Sequence, residues 1–144
     1  MAVTNFSPLL GLALPTTGDL AGTWGTTVNT SITSLLDAAV AGTTVLSVDD
    51  NVTLTTTNGA ANQARSAVIR WTAANGATTR TITAPAQSKV YFVMNEGTGL
   101  IVIRGAGSPP TTGVTIPAGK NAIVAWSGAD FVTIANNISS GGTF

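Results

Sequence analysis

Histidine and cysteine are both missing from this chain, and charged residues make up only 8% of it. Without either residue type, the usual nucleophile and base pairs and the soft zinc ligands cannot be built, so serine or cysteine hydrolysis and thiolate metal sites are excluded. Disulfides are excluded too, and with them any reading of redox compartment. Six basic and six acidic residues cancel. The basic ones, Arg65, Arg70, Arg80, Lys89, Arg104 and Lys120, are scattered and offer no electrostatic footprint for nucleic acid. Long hydrophobic runs are also wanting: the apolar stretch 9–14 lacks a basic flank and is too short for a secretory leader or a membrane span, so no membrane insertion is expected.

Apolar residues, by contrast, reach 44% of 144 residues, enough for one domain with a real core. Such a composition does not belong to a disordered chain. A neutral, nearly uncharged surface has no net repulsion to oppose association, which points to an obligate partner or a homo-oligomer.

The hydrophobic period divides the chain into zones. Residues 1–22 carry Pro8, Gly11, Pro15, Gly18 and Gly22 and are expected to form an extended N-terminal attachment arm. Its apolar members Val3, Phe6, Leu9, Leu10, Leu12 and Leu14 need cover from a neighbouring subunit or from the arm's own domain. Over residues 23–42 the spacing of Trp24, Val28, Ile32, Leu35, Leu36, Ala39 and Val40 by threes and fours predicts a helix, with Thr23 as N-cap and Gly42 just past the end. Its many Thr and Ser residues are weak helix formers, so packing must stabilise it.

Residues 43–135 change to a period of two. Strands are expected at 43–48, 52–57, 66–73, 79–84, 89–95, 100–105, 113–116, 121–127 and 130–135, which suggests a mainly β domain, a sandwich or jelly roll. Asn75-Gly76 predicts a hairpin between the third and fourth strands, and Gly128-Ala129 a second between the last two. Residues 136–144, with two serines and two glycines in a row, read as a flexible linker.

The remaining polar residues suggest little chemistry. Asp49-Asp50-Asn51 lacks the spacing of a calcium loop and reads as a turn, and the other acids sit beside glycines or at element ends, where caps and turns use them. No catalytic residue, metal or cofactor is assigned. Trp71, Tyr91 and Trp126 stand in strands, either as core or as a stacking platform for sugar rings, the latter making the domain lectin-like. Ile69 with Trp71, and Val124 with Trp126, share a face as core residues do.

Pro15, Gly18, Asp19, Thr23, Trp24, Gly25 and Asn29 form a motif that resembles the N-terminal part of tail-fibre-like structural proteins of tailed phages, including phages of aquatic bacteria and cyanobacteria. The resemblance runs on through 61–65, 89–99 and 114–120, although Pro15 to Asn29 is its specific part. It implies a trimeric virion component of the tail or baseplate, not an enzyme, docked through its N-terminal part to other tail proteins and supporting host attachment. Many members of that group continue well past this length, so a receptor-binding region is expected to be missing here, supplied by another chain, or absent from a short form. Phe6, Leu9, Leu10, Leu12, Leu14, Trp24, Val28, Ile32, Leu35 and Leu36 are the candidate attachment and oligomer residues. A capsid decoration or head-fibre protein is the alternative location.

Overall fold

Strands form where Val, Ile and Thr alternate with turn residues, and a computed structural model describes residues 3–18, 20–107 and 112–134. Nine strands stand among them: β1 (Thr43–Leu46), β2 (Val52–Thr53), β3 (Val68–Trp71), β4 (Arg80–Ala84), β5 (Val90–Asn95), β6 (Ile101–Gly105), β7 (Val114–Ile116), β8 (Asn121–Trp126) and β9 (Phe131–Thr133). They make two mixed sheets, ordered β1-β3-β5-β8-β9 and β2-β4-β6-β7. Both sheets contribute to one buried cluster that includes Leu54, Ile69, Trp71, Ile82, Tyr91, Ile103, Val124 and Phe131. Each large apolar side chain enclosed there stabilises the fold by about 1.5–3 kcal/mol.

The chain winds rather than folding back. From β1 to β6 it alternates between the sheets, so that β1, β3 and β5 lie parallel in one while β2, β4 and β6 lie parallel in the other. Thr43 stands beside Val68 and Val68 beside Phe92, which sets the coil at 25 and then 24 residues. The last three strands pair antiparallel: β7 with β6, β8 with β5, and β9 with β8. A mainly β domain is therefore as expected, but its two sheets are mixed, where a jelly roll would be antiparallel throughout.

The two expected hairpins part company here. β8 and β9 do pair through a tight connection at 127–130, where the Ser127 hydroxyl donates to the Asp130 carbonyl at 2.8 Å. β3 and β4, however, lie in different sheets, which corrects the Asn75-Gly76 hairpin. The reason is local: the Asn75 side chain is drawn into the interior, bonding to Trp71 and to residues 99 and 100 of the following coil. The connection becomes a corner between sheets instead of a hairpin tip.

Ahead of the sheets lies a helical stretch: α1 (Trp24–Val28), a π-helical turn (Asn29–Thr33) and α2 (Ser34–Ala41). Hydroxyls explain the π turn. Thr30 Oγ1 donates to the Thr26 carbonyl at 2.9 Å and Ser34 Oγ to the Asn29 carbonyl at 2.7 Å, loosening the regular ladder, and the Ser34 amide then reaches back five residues to Asn29. Thr23 makes no side-chain cap to the helix. Gly42 is extended at φ −71°, so it supplies no left-handed end; its missing side chain admits the Ala38 carbonyl, 2.5 Å from where a Cβ would stand.

Residues 3–18 turn back on themselves instead of extending. Phe6 and Ala13 form an antiparallel bridge, Ser7 Oγ accepts the Leu12 amide at 2.9 Å, and Gly11 takes the positive φ of 58° that the reversal needs. This small hairpin lies against the chain's own body: the Ala13 amide donates to Ser31 O at 3.1 Å and the Gly59 amide to Gly11 O at 2.7 Å.

Candidate assembly surface

The two sheets turn opposite chemistry outward. On the four-stranded sheet, register sets Thr53 beside Thr83 and Arg104, and Thr81 beside Val102 and Thr115. That is a wettable, threonine-rich surface, as β-branched hydroxyl residues provide. On the five-stranded sheet the outward rows read Val45, Arg70, Met94, Asn121, then Thr43, Val68, Phe92, Ile123, then Val90, Ala125, Val132, apolar at the centre with polar residues along one side. Phe92 stands centrally at 48% exposed, flanked by Val68 and Ile123, while Val45, Val90, Val132 and Ile134 are also open to solvent. A shallow depression lies between β5, β8 and β9, lined by Phe92, Met94, Ile123 and Thr133.

Sequence reading missed this surface. The signal for it is Val90 to Met94, five apolar residues in a row, which gives β5 an apolar side on both faces. Such a run marks a strand covered twice, once by its own core and once by something else.

The helical residues divide. Leu35 is enclosed within the chain, and Val28 and Ile32 are half-buried, whereas Trp24 is 58% exposed and Leu36 and Val40 are exposed too. In an unbroken helix Trp24 and Leu36 would stand about 120° apart; a π turn takes up one residue and brings them to within about 20°. Trp24, Leu36 and Val40 thus share an open stripe, whereas Val28, Ile32 and Leu35 of the expected one turn towards the chain's own body.

Among the N-terminal residues, the Phe6 ring packs where a Gly59 side chain would be, 2.6 Å from its Cβ position, and Leu10 and Leu12 are half-buried. Leu9 and Leu14 stay exposed. Four of the segment's six apolar members, Val3, Phe6, Leu10 and Leu12, are accordingly covered in part by the chain itself.

The sugar-platform reading of the aromatics is corrected for two of three. Trp71 and Tyr91 are fully enclosed, the Tyr91 hydroxyl donating to Ala64 O at 2.7 Å, so neither ring has a face to offer. Trp126 is half-buried, edge-on to Phe131 with centroids 5.5 Å apart and lying over Gly105, whose absent Cβ leaves room for it.

No protein family, characterised protein or solved structure matches this chain.

Asp49, Asp50, Glu96 and Asp130 are engaged structurally. Arg80 pairs with Asp49 and Arg70 with Glu96, both at 2.7 Å, and each guanidinium bond holds its carboxyl below the usual range. Asp50 accepts the Asn51 amide, and the Asn51 side chain accepts the Thr81 amide, so the acidic triplet is a turn. Asp130 accepts three amides, those of Gly105, Gly113 and Phe131, at 2.7–2.9 Å. Among the described residues no group of acids is arranged to hold a metal ion, and no helix is long and apolar enough to cross a membrane.

Proposed function

We propose that this chain is a virion structural protein, a tail-fibre or baseplate-attached fibre subunit assembled as a homotrimer and supporting host attachment. The observation that carries the reading is the apolar outer face of the five-stranded sheet, left open while the opposite sheet is clothed in threonine. A monomer free in solution has no use for such asymmetry, since contiguous exposed apolar surface marks a protein contact. The open stripe of Trp24, Leu36 and Val40 adds a second contact, suited to packing three helices about an axis, and exposed Leu9 and Leu14 add an attachment point for tail proteins.

The Pro15 to Asn29 motif supports the tail location, and the near absence of charge suits a subunit whose surface is hidden in an assembly. A cryo-EM reconstruction of the particle tests this. The chain is expected at the tail tip or baseplate in threefold copies with Phe92 against a neighbour; copies spread over the capsid lattice would make it a decoration protein instead.

A further inference from the structure

Arg65 and Lys89 meet beneath the N-terminal hairpin, and among the described residues no carboxylate pairs with either. Arg65 closes a short 3-10 turn (Gln63–Arg65) and is only 5% exposed. Its guanidinium donates to three neutral carbonyls, Leu10 O, Thr57 O and Ala60 O, and its Nε–H is buried with no acceptor. The Lys89 ammonium donates to the Arg65 carbonyl and sits 5.0 Å from the centre of the Tyr91 ring, which leaves it donors to spare. Both cations line one cavity of about 30 Å³, together with Leu10, Gly11, Asn58 and Asn62.

Buried cations are ordinarily paired, because carbonyl dipoles alone do not replace a lost hydration shell or a counter-ion. Here two positive groups line one small space with no carboxylate between them, an arrangement that suits a negative occupant. Size narrows the class: about 30 Å³ takes in one or two water-sized bodies, so a sulfate, phosphate or nucleotide would lie mostly outside it.

We propose that this cavity is a binding site for one small monoatomic anion, chloride being the common member, held between the Arg65 guanidinium and the Lys89 ammonium. Because Leu10 and Gly11 form one wall, the bound ion fastens the N-terminal hairpin to the β domain. Desolvation, and next the Arg65 charge, lower the Lys89 ammonium to about 8, as an electropositive and partly enclosed site requires. Tyr91, the other titratable group at the site, is pushed upward by burial and stays neutral. Anion binding is therefore strongest below pH 8.

The test is thermal unfolding of the full chain at pH 7 and fixed ionic strength, exchanging sodium gluconate for chloride or bromide. Saturating halide should raise Tm by roughly 3 °C, and Lys89→Met should remove the difference while still unfolding cooperatively. Should Lys89→Met fail to fold, crystals of the unaltered protein soaked in bromide should give an anomalous peak in the cavity between Arg65 and Lys89. Equal Tm in gluconate and chloride, halide dependence that survives Lys89→Met, or a bromide soak with no peak in the cavity would each overturn the assignment.

Discussion

The indole N–H of Trp71 donates to Oδ1 of Asn75 at 3.2 Å, and both residues are buried. The same amide side chain accepts the Gly99 amide at 3.1 Å and donates to Thr78 O and Leu100 O at 2.7 and 3.0 Å. One residue thus fastens the corner after β3 to the coil that follows. Asn95 repeats the device, donating to Gly99 O and Ile116 O and accepting the Gly97 amide.

Asn75→Ala strands several of these partners at once. Each buried group left without a partner costs about 1–3 kcal/mol, so a loss of about 3–5 kcal/mol is expected in urea unfolding. A loss below about 1 kcal/mol would show that water replaces the amide.

Gly99→Ala should cost at least about 2 kcal/mol. Its Cβ would lie 2.1 Å from the Gly76 carbonyl, a backbone atom that cannot swing aside. Gly25→Ala is the matched control: it lies in α1 with open space around it, and helix propensity predicts a gain of roughly 0.5–1 kcal/mol. Thermal melts of the two variants should move in opposite directions.

Asp130→Ala removes the acceptor that holds Gly105 and Gly113 together across the sequence gap between β6 and β7. Hydrogen bonds to a carboxylate are worth about 1.5–3 kcal/mol, and a total loss of about 3 kcal/mol is expected. Amide exchange should quicken at Gly105 and Gly113, with Asp130→Asn intermediate.

Phe92→Lys places a charge at the centre of the open sheet face without touching the core. Light scattering on the eluting protein should show the oligomer falling to monomers while the far-ultraviolet spectrum is unchanged. An oligomer that persists would exclude this face as the contact.

Lys89 gives a pH dependence of definite sign. Its folded value of about 8 lies below the ordinary 10.5, so between those values the unfolded chain binds more protons and stability rises with pH. In gluconate the urea midpoint should climb from pH 8 to about 9.5, short of the region where Tyr91 titrates in the unfolded chain. Lys89→Met should flatten that climb.

Strand positions were legible because alternation of Val, Ile and Thr is a local signal, and the β8–β9 turn was legible because Ser127 and Asp130 complete it between themselves. Pairing across β3 and β4 was not. Asn75-Gly76 looks alike whether the chain returns to its own sheet or crosses to the other, and the deciding partners, Gly99 and Leu100, lie a coil away. Which of Leu35 and Leu36 is enclosed past the π turn was not legible, since the hydroxyls of Thr30 and Ser34 compete for carbonyls in a way that spacing does not reveal. For the surface, Phe92 was hidden by neighbours that are equally apolar. Arg65 and Lys89 sit 24 residues apart on different elements, and only the tertiary fold brings them together.

In the coiled part of the molecule a strand's partners lie one turn earlier and one turn later; β1 pairs with β3 and never with β5. Cohesion in such a column is passed from neighbour to neighbour. Opening should accordingly begin at the Thr43 end, where β1 has a single partner strand, and travel inward like a zip, leaving β5 and β8 shielded longest from deuterium and proteases. The coiled part is then softest at its β1 edge and firmest inside at β5, and a neighbour seated on β1 would stiffen the entire column.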